Sequence, residues 1–558
     1  MHRDKLEHIL QSGFGETING APSIIFLDTG DKQLTERVFD THRNYIYQHS
    51  PRTTVISVTA EYRDRMFPYH PFLTIVKDRL LGRSESEISL LLDQAAVYHY
   101  HRTIFMDYFL GTVSRRAEEV ILEETLFEQS RFRSDIASLL LTLTGGNLVL
   151  LVSGTERVSA ATAGFIRGIK ELCAREKVQI IFAMDISGIL GDSASPDFLR
   201  EFAGEILSSY PVLETESAPC ADGVCDSAEP PISVDAATEL LNFLCLEDAA
   251  GYAAHLYDIS QNAPEDDHSI RLPALMTAAL AYYHLREFDT AMLYANLLIS
   301  RSRSADPVWQ SRGARIASML YYQKGDIDSA AALANLAKQH AEAGKSTDEC
   351  ALAAFTLFMV SDTTSTLFIG PEAYDAHCSE MISLFEIADF SNYLAFILSR
   401  TTYLMFLFRS DKAPLALTTS NRGIELAEKN GNSFRLAAAY QAQGILMQAF
   451  RRSDAALNSF VRAEKIISQI GTPLEKARVY NGRGYFHFFN EHFPQALDYY
   501  RKALPLLEKS SQYEELCTTL VNIAFTYLFC YRFDECVHYL EETLKIMNFL
   551  NMNDLPFH

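Results

Sequence analysis

The sequence predicts two structural classes in one chain: an α/β unit built on a parallel sheet in residues 1–215, and an all-α array of helix pairs in residues 235–558. Three observations carry this. Short β-branched apolar runs alternate with helix-like segments only in the first part. The second part has almost no strand signal and many Ala-rich amphipathic stretches. Between them, residues 216–234 lie in a stretch rich in Pro, Ala, Ser and acid that reads as a linker.

Composition bounds the function. The 558 residues are 48% hydrophobic and 22% charged, which fits a folded protein and excludes wholesale disorder. The net charge of −22 argues against nucleic-acid binding, which needs clustered Lys and Arg. From Glu201 to Ile270 there are fifteen acids and no Lys or Arg. That strip reads as a solvated linker with the polar face of a first helix pair, as a docking strip for a basic partner, or as an internal strip against a basic part of the same chain. MHRDKLEHILQSGFGE lacks the apolar core of a signal peptide, and no run of about 18 apolar residues marks a membrane span. The nine cysteines are scattered and odd in number, so a cytoplasmic protein without membrane insertion is expected. Cys220 and Cys225 have no second pair nearby and read as linker thiols rather than metal ligands.

Within the first part, SIIFL (23–27), TTVISV (53–58), NLVLLV (147–152) and VQIIFAM (178–184) read as buried parallel strands, with YPVLE (210–214) as a fifth. The second part shows self-similarity. The segments 275–299, 480–504 and 520–544 each carry a small residue on a first helix (Ala279, Gly484, Ala524), an aromatic nine residues later (Phe288, Phe493, Phe533), and a second small residue three further on (Ala291, Ala496, Cys536). Two antiparallel helices cross closely only where side chains are small, and the aromatic is expected to close the turn over the gap. Ser318 with Ala330 and Gly444 with Ala456 repeat the register; Thr364 with Ala376 and Leu404 with Ala416 are weaker copies. The second-helix anchors are spaced 39, 46, 40, 40, 40 and 40 residues apart, implying about seven or eight helix pairs.

This pattern resembles the tetratricopeptide repeat, with a period nearer 40 than the usual 34. The resemblance implies a right-handed superhelix whose inner groove holds a peptide or protein partner. The first part resembles the ATPase domain of the signal-transduction NTPases with numerous domains (the STAND class). RDKLEHIL (3–10) looks like that family's leading helix, SIIFLDTGDK like its first strand and phosphate loop, and MFPYHPF (66–72) like its Pro-Tyr-x-Pro-Phe segment. NLVLLVSGTERVSAATAGFIRGI (147–169) sits at its Walker B strand and VQIIFAMD (178–185) at the next strand. The implied fold is a three-layer P-loop-NTPase-like domain followed by a tetratricopeptide-type solenoid.

The chemistry of that fold does not follow from these residues. A phosphate loop needs G-x-x-x-x-G-K-[ST]: glycines so that backbone N–H groups cup the phosphates, Lys for the β and γ charges, Ser or Thr for Mg²⁺. Here the loop is Asp28-Thr29-Gly30-Asp31-Lys32-Gln33, two residues short, with two aspartates facing any phosphate. Gln33 takes the Mg²⁺ hydroxyl position, with Thr35 close by. The Walker B position offers Ser153 and Gly154 after Val152, with Glu156 as the nearest acid, and the next strand ends in Asp185 where the family has Arg. Joint failure at three positions points to lost hydrolysis and no bound ATP or Mg²⁺. If nucleotide binds, Gly30, Lys32 and Thr35 would touch it.

No H-E-x-x-H or G-x-S-x-G motif is present, and no residue is assigned a catalytic or metal-binding role. His99 and His101 are two apart in a helix-like context, which puts them on different faces. RFRSD (131–135) reads as a solvated basic face. Three readings compete. The first is a protein-interaction scaffold or signalling adaptor with an inactive ATPase-like domain; the second is a regulatory nucleotide-binding ATPase with an atypical loop. The third, a regulator acting in trans on other proteins, rests on fold analogy alone.

Overall fold

A computed structural model describes residues 3–18, 23–61, 66–112, 125–172, 177–192, 195–214, 233–262, 268–324, 326–362, 371–388, 413–429, 433–470, 473–510 and 513–549, together with 264, 394, 395, 397–399 and 402. The chain divides into two compact units, Met1–Glu287 and Phe288–His558. The sequence instead puts the boundary at the linker 216–234, most of which, with Cys220 and Cys225, lies outside the described residues.

The first unit runs α1 (Arg3–Ile18), β1 (Ser23–Asp28), α2 (Lys32–His49), β2 (Thr54–Thr59), α3 (Phe72–Leu80), α4 (Glu85–Gln94), α5 (His99–Leu110), α6 (Thr125–Thr144), β3 (Asn147–Ser153), α7 (Ala160–Leu172), β4 (Lys177–Met184), α8 (Ile186–Gly191), α9 (Asp197–Ser209) and β5 (Val212–Glu214). Three helices close it: α10 (Val234–Asn242), α11 (Leu246–Ser260) and α12 (Arg271–His284). The five strands form one parallel sheet in the order β2-β3-β4-β1-β5, each within two residues of its expected bounds. Ser23 pairs with Gln179 and Asp28 with Met184, so β1 and β4 end side by side. The inner strands β1, β3 and β4 are buried along almost their whole length, which explains their unbroken apolar runs; β2, at an edge, is only partly covered.

One face of the sheet is covered by α1 and α2, through Leu6, Leu10, Phe14, Val38, Phe39 and Ile46. Gln179, a polar side chain inward on that face, is satisfied twice: it bonds His42 Nε2 at 2.8 Å and donates to the Leu10 carbonyl at 3.0 Å. Burial holds the His42 imidazole below its usual pKa, against the opposing Gln179 bond. An aromatic layer lies on the sheet elsewhere, with Phe26 stacked on Phe182 at 4.9 Å and Phe72 against Phe165 at 4.4 Å.

Among the described residues the second unit is all helix: α13 (Phe288–Arg301), α14 (Pro307–Gln323), α15 (Ile327–Ala343), α16 (Thr347–Asp362), α17 (Pro371–Ile387), α18 (Ala413–Lys429), α19 (Ser433–Ala449), α20 (Ser453–Ile470), α21 (Pro473–Phe489), α22 (Phe493–Ser510), α23 (Tyr513–Phe529) and α24 (Phe533–Phe549). Successive helices from α13 to α17 and from α18 to α24 pack on one another, and first helices of neighbouring pairs also touch, as α14 does α16 and α21 does α23. This is a solenoid-like array. Buried Glu349 on α16 ties two pairs, accepting from Ser311 Oγ at 3.0 Å and Arg315 Nε at 3.1 Å on α14.

The small-residue positions lie in the packing. Ala279, Ala291, Ser318, Ala330, Ala456, Ala496, Ala524 and Cys536 are all buried. Ser318 Oγ donates to the Ala330 carbonyl at 2.7 Å, a contact only a close helix crossing allows. A Cβ on Gly444 would stand 2.9 Å from the Phe460 ring, and one on Gly484 would stand 2.4 Å from the Tyr500 ring. The gap is therefore filled by the aromatic one turn after the second-helix anchor. Phe493 lies across its turn from Phe488 at 5.9 Å and also stacks toward Phe529 of the following pair, while Phe533 is exposed beside Tyr531. The copies at Thr364 and Leu404 lie outside the described residues, and the Ala376 side chain is likewise not described; Ala416 is buried.

Four of the pairs turn through the same backbone device. Arg286, Arg451, Glu491 and Tyr531, each five residues before an anchor, have φ of 62°, 56°, 60° and 58°. The next N–H reaches back five residues: Glu287 to Tyr282, Arg452 to Met447, His492 to His487 and Arg532 to Tyr527, at 2.8–3.0 Å. This is a Schellman closure with non-glycine residues in the left-handed region. Two outcomes follow for thermal unfolding of the full chain. Glu491→Gly is expected to be neutral or to stabilise by up to about 1 kcal/mol, whereas Glu491→Val destabilises by about 1–2 kcal/mol. Gly484→Ala is expected to cost roughly 1–2 kcal/mol through overpacking against Tyr500, despite alanine's better helix propensity.

Candidate functional site

Ligands of open parallel sheets sit at the carboxyl ends of the strands, and anions sit at helix N-termini. Both features meet at the end of β1 and β4. Asp28, the last residue of β1, does not face solvent. Its Oδ1 accepts from the N–H of Ile186 and Ser187, at 2.9 and 3.2 Å, and its Oδ2 from the Ser187 hydroxyl at 2.6 Å. Asp185 accepts from Gly188 N–H at 2.8 Å. The first three N–H groups of α8 are thus all taken by carboxylates of the chain.

The loop into α2 repeats the device. Asp31 is the N-cap: its Oδ1 accepts from Leu34 N–H at 3.0 Å, and its own N–H donates to Thr29 Oγ1 at 3.1 Å. Thr35, the candidate Mg²⁺ hydroxyl, is buried and donates to the Asp31 carbonyl at 2.9 Å. Lys32 is exposed at the first position of α2, and Gly30 is partly exposed. The expectation that Asp28 and Asp31 would both point at a phosphate is corrected: each turns onto backbone N–H groups that would otherwise go unpaired.

Glu156 comes from the short turn after β3. Gly154 makes that turn possible: its φ is +72°, and a Cβ there would stand 2.5 Å from the Ala60 carbonyl oxygen. The Glu156 carboxyl is partly buried and lies near Asp185. Burial raises its pKa and the Asp185 charge adds to this, against the opposing pull of Arg157, 3.5 Å away. Among the described residues, no group of three or more His, Cys, Asp or Glu is placed to hold a metal ion. His101 is fully buried, bonded to Asp135 at 2.7 Å and stacked on Phe132 at 3.6 Å, so it is a core group.

Sequence reasoning missed the polar contact that joins α11 to the α/β part of this unit. Asp248 on α11 presents its two carboxylate oxygens to Ala160 and Ala161 N–H at the start of α7, both at 3.1 Å. Around it, Thr162 Oγ1 donates to the His70 carbonyl at 3.0 Å, and the Cys245 thiol, which donates to the Phe243 carbonyl at 3.9 Å, lies beside Tyr69. Tyr69 is fully buried, and burial pushes its hydroxyl and the Cys245 thiol well up. The Tyr69-His70 portion of MFPYHPF therefore serves as the seat for the loop between α10 and α11. Gln129 of α6 donates to the Leu244 carbonyl at 2.8 Å, and Phe243 inserts among Phe105, Tyr108 and Phe132. One member of the acidic strip is thus internal and meets a helix N-terminus; another, Glu205, pairs with Arg167 at 2.6 Å.

In the array, aromatic side chains stay exposed on first helices of consecutive pairs, Phe489 on α21 and Phe525 and Phe529 on α23. Among the described residues, no helix is long and apolar enough to cross a membrane.

No family model matches the chain, and no curated protein matches it. Solved structures to which it is similar include the apo form of RapI, at 14% identity over 48% of this chain and 93% of that one, with a TM-score of 0.38. A signal-transduction ATPase with numerous domains and a tetratricopeptide repeat sensor, from Pyrococcus horikoshii, is 12% identical over 97% of this chain and 83% of that one, with a TM-score of 0.33. The APC/C hetero-tetramer Cut9–Hcn1 is 13% identical over 92% and 89%, with a TM-score of 0.35. Proteins with tetratricopeptide repeats are thus among those this chain resembles. At such identities and scores, the fold and the site stand on the geometry above.

Burial lifts Asp248 to about 6, against the Ala160, Ala161 and Ser159 hydrogen bonds that pull it down. A carboxyl raised in the folded state favours folding most when protonated, so its contribution is full below about pH 4 and is lost as pH rises through 6. Unfolding of the full chain between pH 4 and 7.5 is expected to show up to about 3 kcal/mol of this slope, absent in Asp248→Asn. Identical slopes in the two proteins would contradict the assignment.

Proposed function

We propose that this chain is a cytoplasmic protein-interaction scaffold or signalling adaptor with no catalytic activity. Its helical array holds a protein partner. Its α/β unit has the outline of a P-loop NTPase domain but serves as a second docking module or a structural cap. The observation that carries the loss of nucleotide chemistry is the occupation of helix N-termini by the chain's own carboxylates. Asp28 and Asp185 fill α8, and Asp31 caps α2. Phosphate binding needs those donors free and the surrounding charge positive; here the first three N–H groups of α8 and the Leu34 N–H of α2 are engaged by carboxylates, which also make the surroundings negative.

The partner-binding role is supported by the array itself. Stacked helix pairs present a long continuous surface, and this one keeps Phe489 and Phe525 exposed on first helices of neighbouring pairs. Large aromatic residues are favoured anchors at interfaces.

Calorimetric titration with ATP and with ADP, each with and without Mg²⁺, tests the first half. No heat up to millimolar nucleotide is expected. Micromolar binding that disappears in Lys32→Ala would overturn it in favour of a nucleotide-gated switch. For the second half, Phe489→Ser with Phe525→Ser is expected to abolish capture of the partner that co-purifies with the full chain, without changing the melting temperature. Capture that survives both substitutions would overturn the assignment of this face.

A further inference from the structure

The last helix pair carries an apolar face with no described partner. Leu528 on α23 and Phe533, Val537, Leu540 and Leu544 on α24 are between 39% and 57% exposed. The 40-residue register says what such a face is for. Forty residues earlier stand Phe488, Phe493, Leu497, Tyr500 and Leu504. Those five pack on the next pair: Leu497 and Tyr500 are buried with Ile523, Ala524 and Tyr527, Phe488 and Leu504 lie against that cluster, and Phe493 stacks toward Phe529. The exposed five are therefore the stacking surface of the array, repeated once more with nothing described upon it.

We infer that this face pairs with the same face of a second copy of the chain, forming a two-fold dimer through α24. Three features of the structure select this occupant. The face continues an interface the array already uses between its own pairs. The α24 residues are spaced four, three and four apart, a pattern that reads the same in both directions. An antiparallel copy therefore sets Phe533 against Leu544 and Val537 against Leu540, as an isologous interface requires. The area also fits. At ~200 Å² for a fully exposed large side chain, the five offer on the order of 450 Å², which matches the apolar share of the ~800 Å² each partner buries in a standard interface. Asp534 and Glu541 lie along one flank of the row, and each comes near the other's counterpart in the antiparallel copy, so the pairing tightens as salt screens them.

Sedimentation equilibrium of the full chain at tens of micromolar tests this. A dimer is expected, tighter at high salt. Val537→Glu with Leu540→Glu is expected to weaken association by at least about tenfold, with helical circular dichroism and melting unchanged because both side chains are exposed in a single chain. The milder Val537→Ser with Leu544→Ser should weaken it in the same direction. A full chain that stays monomeric at high salt overturns the inference, as does a dimer indifferent to both double variants. A chain ended at Phe549 that dimerises when the full chain does not would identify residues 550–558 as the occupant, and would overturn it too.

Discussion

A single carboxylate sets how the first unit is assembled. Asp248 reaches from α11 to the start of α7 and bonds two backbone N–H groups that the helix itself leaves unpaired. An anion at this place is favoured by the helix dipole and disfavoured by its loss of water, and the raised pKa shows desolvation winning. The contact holds only if the α10–α11 loop is seated, which needs Tyr69, His70 and the aromatic cluster around Phe243. Loop, motif and carboxylate therefore support one another. This is why helices that follow the linker in sequence count with the α/β unit in space.

The same chemistry recurs at the sheet's carboxyl edge. Asp28, Asp31 and Asp185 each satisfy backbone donors at a helix start. A site for a phosphate and a site closed by an aspartate use the same N–H groups. What differs is whether the anion belongs to a ligand or to the chain. Joined covalently, the carboxylates need no binding equilibrium; beside them Glu156 holds its proton more tightly than usual, chiefly through burial, with the Asp185 charge adding to it.

Much of this fold was legible from the residues, for definite reasons. The inner strands are covered on both faces, so their apolar runs are unbroken. The helix crossings demand small side chains, so Ser318, Ala330, Gly444 and Gly484 stand out at a fixed spacing. Other features left no mark. The turns use Arg, Glu and Tyr where glycine would have signalled the left-handed backbone. The ring that fills each crossing, Phe460 or Tyr500, lies on the buried face of an ordinary amphipathic helix. Asp248 is one of fifteen acids in a strip with no base, and nothing in its neighbours tells an internal carboxylate from a solvated one. In the candidate site, the odd composition of loop 28–33 was visible, but the direction in which Asp28 and Asp31 turn was not.

The turns have a consequence for how such an array changes. Residues as different as Arg451, Glu491 and Tyr531 hold one backbone shape, so the turn accepts many letters. It does not accept a change of length. Removing one residue between the closure and its anchor would rotate the second helix by roughly 100°, carrying Ala496 out of its crossing and bringing a neighbour in its place. Drift by substitution is cheap here and drift by deletion is not, so the spacing would outlast the residues that first established it.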